Sequence, residues 1–166
     1  MVEAVAATSG DSQPWALDLV GPVAATDRAW LMERLARPDA GLIASHGRLE
    51  PLRAWRFAEG ADVGLCLLEA TPAFSDAMPS KLYEYQACGL PTIATPLPKV
   101  AGLLDRTGAG ILVRDAAETT AALRRFATDA RWRTELRDAA REAAVASRSV
   151  PSTYDEAAAR ISALLG

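Results

Sequence analysis

Cysteine is scarce in this sequence, and neither Cys66 nor Cys88 has a second cysteine at the two-residue spacing of a metal or redox pair. Both thiols are therefore expected to be reduced, buried and to act as small hydrophobes. A basic field is also missing. The 18 lysines and arginines are scattered among 21 acidic residues, and a formal charge of -3 offers nothing to nucleic acid or another polyanion. No apolar run reaches the roughly 18 residues of a membrane span, since Val63 to Leu68 is closed by Glu69, and no basic start leads into an apolar stretch at the beginning. A soluble, cytoplasmic protein is expected. Also absent are a GxxxxGK phosphate loop, a GxGxxG opening a first helix, and an Asp-x-Asp that would hold a metal-bound diphosphate, so no metal and no other cofactor is expected. Gly108-Ala109-Gly110 reads as a turn before a strand. There is no repeat, low-complexity tract or linker, and 166 residues, half of them apolar, suit a single domain over 1–166 that buries roughly 70% of its unfolded surface.

What the sequence has is alternation. Short β-like runs at Trp15–Gly21, Leu42–His46, Val63–Leu68, Pro91–Thr95 and Gly110–Val113 are each followed by a helix-length segment. The pattern predicts an α/β fold, a parallel sheet of about five visible strands with helices on both faces. Trp30, Leu31 and Leu35 are expected to share one face of a helix over Thr26–Arg37. Leu123, Phe126, Trp132 and Leu136 are expected to form a stripe across two helices that meet at Asp129. Past Val150-Pro151, Ser152 is placed to cap a last helix carrying Ile161, Leu164 and Leu165.

Chemistry concentrates in Ala61 to Pro96, where a buried strand gives way to a polar loop, a helix and another strand. Parallel sheets bind ligands where strands end and helices begin. Backbone N–H groups at the Met78-Pro79-Ser80-Lys81 helix start are suited to an anion such as a diphosphate without any metal, and proline fits the first helical position. One turn on, Glu84 is placed to accept two hydrogen bonds from a ribose diol. Cys88 and Gly89 end the helix and Pro91 prevents its continuation. The same residues also have a plainer reading, with Ser80 a helix cap and Glu84 worth a few tenths of a kcal/mol against the helix dipole. Taken alone, the residues leave both readings open.

The wording PSKLYEYQACGLP resembles the donor-site helix of glycosyltransferases of the two-domain GT-B architecture, in particular the large family 4 of retaining enzymes. Further segments carry the likeness along the chain. ALDLVGP resembles the second strand of that family's C-terminal domain and IASHGRL its third strand and base-binding turn. RAWRFAEGADVGLCLL resembles the helix and strand before the donor loop, and TGAGILV the closing strand. The resemblance implies a Rossmann-like, nucleotide-sugar-binding half. It places Glu84 on the nucleotide ribose, Pro79 and the amides of Ser80 and Lys81 at the diphosphate, and Gly47 with Arg48 beside the base. His46 precedes that turn and reads equally as a packed strand-end histidine. Eight positions before Glu84, Asp76 stands where the family has an acidic residue touching the donor sugar, within the sugar-facing loop Ser75, Asp76, Ala77 and Met78. Thr71 to Ala77 lacks the Gly-Phe-Gly run of many members.

By the same resemblance the sheet order would be 3-2-1-4-5-6, and Val2 to Thr8 matches the helix that follows the first strand. That strand, with its basic residues, has no counterpart, so a gap is expected between Trp15–Gly21 and Val63–Leu68. Each buried N–H or C=O left unpaired costs about 1 to 3 kcal/mol. The gap must then be filled, served by a borrowed strand, or mark a fragment. An alternative has Val2 to Ala6 form the central strand itself, with Ser9 to Pro14 too short for a helical crossover. The family's N-terminal acceptor-binding domain also has no counterpart, so the expectation is donor binding without turnover, with that domain supplied elsewhere. Two rivals stand beside this reading, a non-catalytic interaction domain of the same fold and half of a nucleotide-sugar epimerase.

Overall fold

In the computed structural model, residues 1–148 and 162–163 are described. In chain order they form α1 (Val2–Ala6), β1 (Leu17–Val20), α2 (Ala25–Leu35), a 3-10 turn (Pro38–Ala40), β2 (Ile43–Gly47), α3 (Pro51–Gly60), β3 (Gly64–Cys66), α4 (Lys81–Ala87), β4 (Thr92–Ala94), α5 (Pro98–Thr107), β5 (Gly110–Leu112), α6 (Ala116–Thr128) and α7 (Ala130–Arg148). The helix expected after Ser152, with Ile161, Leu164 and Leu165, lies outside the described residues.

Local chemistry explains several boundaries. Pro51 and Pro98 open α3 and α5 at a position that needs no N–H, and Gly108 closes α5 in the left-handed region at φ 64°. Asp115 caps α6 by accepting from the Glu118 amide at 2.8 Å, while Glu118 reaches back to accept from the Arg114 amide at 2.7 Å. Asp129 separates α6 from α7 by accepting from the Trp132 amide at 3.0 Å.

All strand pairing is parallel. β3, β4 and β5 form one sheet, with Leu65 beside Ile93 and Ile93 beside Ile111. Side chains alternate across a strand, and the alternation divides the core here. Leu65, Ile93 and Ile111 face a cluster with α1 and α6, around Val2, Val5, Leu123 and Phe126. Cys66, Ala94 and Leu112 face a second cluster with α4 and α5, around Leu82, Val100 and Leu104. Helices thus cover both faces. Gly110 is required where β4 and β5 meet, because a Cβ there would run into the Thr92 carbonyl.

β1 and β2 form a separate two-stranded sheet, with Leu17 beside Ile43 and a register shift between Leu19 and Val20. No ladder joins β1 to β3. Between them lies an open cleft of about 650 Å³, walled by Leu17 to Gly21 on one side and Val63 to Leu65 on the other. The gap expected in the sheet is present. The alternative that Val2–Ala6 fills it is overturned, since this segment is helical and its Val2, Ala4, Val5 and Ala6 are buried. It is also fastened elsewhere, since the Thr120 hydroxyl on α6 donates to the Ala4 carbonyl at 3.0 Å.

Two packing expectations need correction. Trp30 is half-exposed while Leu31 is buried, because a helix turns about 100° per residue and the inward stripe runs through Leu31 and Leu35. Cys66 is buried as expected, but Cys88 lies at the partly exposed end of α4.

Candidate functional site at the head of α4

The chain leaves β3 at Cys66, folds into tight turns, and enters α4. Amides of Phe74 and Ser75 donate to the Thr71 carbonyl at 2.9 and 2.8 Å, and the Ala77 amide donates to the Phe74 carbonyl at 3.0 Å. The Ser75 hydroxyl donates to the Pro72 carbonyl at 2.9 Å, so polar groups of the loop satisfy one another. Asp76 is 90% exposed, its carboxylate 3.3 Å from Lys99 Nζ. The same ammonium donates to the Asp76 carbonyl at 2.9 Å. Met78 packs against the α4–α5 cluster and anchors the loop's end.

The helix begins later than its sequence suggests. Regular helix starts at Lys81, leaving Pro79 outside it, and Ser80 occupies the cap position without a side-chain capping bond. The simple capping role for Ser80 is therefore not realised. The first helical bonds run from the Leu82 amide to the Pro79 carbonyl at 3.2 Å and from the Tyr83 amide to the Ser80 carbonyl at 3.0 Å. The amides of Ser80 and Lys81 come before these bonds, among the orphan donors of a helix start. Leu82 and Gln86 face inward. At the far end Gly89, at φ 65°, lets the Leu90 amide turn back to the Tyr85 carbonyl at 2.8 Å.

Charge at the site is distributed plainly. Glu84 is exposed, makes no ion pair among the described residues, and lines neither of the two clefts. Lys81 and Tyr85 line the cleft between the sheets. The Tyr85 ring packs so closely on Gly64 that any Cβ there would collide with it. Burial, reinforced by Cys66 and Glu84, pushes the Tyr85 phenol up to about 12. Burial likewise pushes the Cys66 thiol up, against the pull of the Lys81 ammonium, and it raises the Cys88 thiol with help from Glu59 and Glu84. Neither thiol is poised as a nucleophile.

The other candidate residues belong to the β1–β2 sheet. Gly47 ends β2 at φ 63°, a conformation that disfavours any side chain, and its carbonyl accepts from the Gly21 amide at 2.8 Å. Arg48 beyond it is exposed. His46 is packed, its ring 4.5 Å from that of Phe57 and its Nε2 2.6 Å from Asp18 Oδ1. Of the candidate residues only Lys81 lines the open cleft; Gly47 and Arg48 lie at the end of β2, on the β1–β2 sheet, while Ser80 and Glu84 belong to the α4 head on the other sheet. A smaller cleft of about 480 Å³ lies at the carboxyl ends of β3 to β5, lined by Met1, Leu67 to Ala70, Thr95 and Val113 to Ala116. Sequence reasoning missed Lys99, Asp18 and Tyr85. Lys99 and Asp18 act across sequence separations of 23 and 28, for which a single sequence carries no local signal.

Among the described residues, no helix is long and apolar enough to cross a membrane. No curated protein matches the chain. A family model described as "Glycosyl transferase-like" matches residues 1–159. Sucrose-phosphate synthase from Thermosynechococcus elongatus is similar at a TM-score of 0.68 and 21% identity, over 87% of this chain and 37% of that one. WaaG, a glycosyltransferase involved in lipopolysaccharide biosynthesis, is similar at 0.67 and 20%, over 86% and 37%. AviGT4, a glycosyltransferase involved in Avilamycin A biosynthesis, is similar at 0.62 and 19%, over 83% and 39%. The chain spans well under half the length of these proteins. With 159 residues inside the family model and the parallel α/β layers of these neighbours, the chain belongs to the glycosyl transferase-like family and has the fold of the C-terminal half of a GT-B glycosyltransferase.

Proposed function

We propose that this domain binds a nucleotide-diphosphosugar and presents it for transfer of the sugar to an acceptor held by a separate N-terminal domain. The observation that carries the reading is the head of α4, where the Ser80 and Lys81 amides precede the first helical bonds and Glu84 stands exposed one turn on. In this assignment those amides and Pro79 receive the diphosphate, Glu84 receives the ribose diol, and Gly47 with Arg48 borders the base. The loop Ser75 to Met78 faces the donor sugar, with Asp76 released from Lys99 to touch it. Transfer breaks the bond from the anomeric carbon to the diphosphate oxygen and makes one to the acceptor oxygen. The charge left on the diphosphate is met by amides already in position, so no metal is needed. The domain works in the cytoplasm, and by family likeness the anomeric configuration is retained.

Calorimetry of the folded chain against UDP-, GDP- and ADP-sugars tests this. One nucleotide class is expected to bind, and Glu84→Ala is expected to weaken that binding about 10- to 100-fold, the scale of a lost bond to a charged group. Binding by none of the three, with the chain shown folded by circular dichroism, would falsify the proposal. The open cleft between the sheets favours one rival, a non-catalytic interaction domain. A tight protein partner together with no nucleotide affinity would select it.

A further inference from the structure

Of the 18 basic residues in this chain, only Lys81 and Lys99 are lysines. A lysine offers a compact ammonium with three donors where an arginine would offer a planar fork. Lys99 stands in the first turn of α5, where the helix dipole favours a carboxylate and disfavours an ammonium. Its charge therefore does not serve the helix that carries it. The base of its side chain is rigid, because Leu97 and Val100 on either side are 2% and 1% exposed in the α4–α5 cluster. From there Nζ lies 2.9 Å from the Asp76 carbonyl oxygen and 3.3 Å from the Asp76 carboxylate. The rest of the loop is bonded to itself, through the Phe74 and Ser75 amides on the Thr71 carbonyl, the Ala77 amide on the Phe74 carbonyl and the Ser75 hydroxyl on the Pro72 carbonyl. Among the described residues, Lys99 is the one side chain from outside Thr71 to Ala77 that makes a hydrogen bond to this loop.

The two contacts of the ammonium differ in kind. Asp76 is 90% exposed, and an ion pair held in water is screened and contributes little. The bond to the carbonyl is shorter, is assisted by the charge, and does not depend on which side chain residue 76 carries. With three donors on the ammonium, the carboxylate can leave while the carbonyl stays bound. A lock that kept Asp76 away from substrate would place the stronger contact on the carboxylate, and here it is on the backbone. We infer that Lys99 is a positioning residue, which pins the backbone of the sugar-facing loop to α5 through the Asp76 carbonyl and leaves the Asp76 carboxylate free to turn to the donor sugar. The inference rests on the donor-binding reading and gives Lys99 no contact with substrate. Met78 packs in the α4–α5 cluster, so the loop is held at two points on either side of Ala77. Ordering a loop costs entropy at the moment of binding, and a loop pinned beforehand carries less of that cost.

Two substitutions separate the carbonyl from the carboxylate. Lys99→Met removes the donors and keeps the stem, whereas Asp76→Ala removes the carboxylate and keeps the carbonyl. Both side chains are at least half-exposed, so the thermal midpoint of each variant is expected to hold. In native-state amide exchange, Lys99→Met is expected to speed the Phe74, Ser75 and Ala77 amides about tenfold, the scale of a lost bond to a charged group. Asp76→Ala is expected to leave the same amides within about twofold. Calorimetry then compares UDP with UDP-glucose, GDP with GDP-mannose and ADP with ADP-glucose. Both variants are expected to weaken the nucleotide-sugar about tenfold and to leave the matching nucleoside diphosphate within about twofold. Unchanged loop exchange in Lys99→Met overturns the inference, and so does equal acceleration in Asp76→Ala, which would make the carboxylate the tie. Equal loss of nucleotide-sugar and nucleoside diphosphate also overturns it, and tighter nucleotide-sugar binding by Lys99→Met would show a lock instead. If the unmodified chain binds none of the six, the donor reading fails and the sugar role of Lys99 with it, while the exchange still decides whether Lys99 pins the loop.

Discussion

The β3–β4–β5 unit and the β1–β2 unit come from the same kind of sequence and differ in how well they are buried. β4 has a neighbour on each side and helices on both faces, and Thr92, Ile93 and Ala94 are buried without exception. β2 is an edge strand, half-buried or exposed along its length, and α3, which follows it, buries no residue. The helices do not differ in amphipathic character so much as in what they rest on. α5 closes onto the complete sheet through Val100, Leu103 and Leu104, whereas α3 flanks the open cleft and leaves Leu52 82% exposed. Burial of an apolar face needs a floor as well as a stripe, and beside the gap the floor is missing. The division also falls across the candidate site, since the head of α4 stands on the complete sheet and the Gly47–Arg48 turn on the other.

Truncation in the two halves should bring out this contrast most strongly. Phe126→Ala removes a fully buried ring between Trp15 and Trp132, and urea unfolding is expected to show a loss of about 3 to 5 kcal/mol. An intermediate effect is expected at Arg34, which is 3% exposed and ties α1 to the end of α2 by gripping Glu3 at 2.7 and 3.0 Å and Asp39 at 2.9 and 3.0 Å. Hydrogen bonding from Arg34 holds the Glu3 carboxyl below its ordinary 4.5. A carboxyl depressed in the folded state stabilises fully above its unfolded value and loses that contribution as pH falls through the folded value. Because the Glu3 side chain is 56% exposed, solvent screening limits the cost of Glu3→Gln at pH 7 to roughly 1 kcal/mol. Denaturation curves of the two proteins should converge on acidification. The smallest effect belongs to Leu52→Ala on α3, expected to stay within about 0.5 kcal/mol. A cost there like that of Phe126→Ala would mean that α3 is packed in solution and would erase the comparison.

Much of this was legible in the sequence. Four of the five strands fall inside the runs read from β-like composition, shortened by a residue or two at their ends, and β2 runs one residue past its run, to Gly47. Alternation of strands with helix-length segments identified a parallel sheet, and the position of the gap followed from family likeness. Periodicity misjudged Trp30, because an apolar residue beside a stripe looks the same in sequence as one within it. The α4 start was read two residues early, since Pro79 fits a first helical position as well as the turn before one. Long-range polar ties stayed invisible: nothing near Asp76 announces Lys99, and nothing near His46 announces Asp18. At the site, the order of residues Ser80, Lys81 and Glu84 was readable, but the division that puts them and the Gly47–Arg48 turn on two separate sheets was not.

Native-state amide exchange, resolved by residue on the unmodified chain, tests the comparison most directly. If the account is right, the Ile93 and Ala94 amides exchange only through opening that approaches global unfolding, while Asp18, Val20 and Leu65 exchange orders of magnitude sooner. Uniform protection across β1, β3 and β4 in a monomer would contradict it, because the two units would then be one continuous sheet.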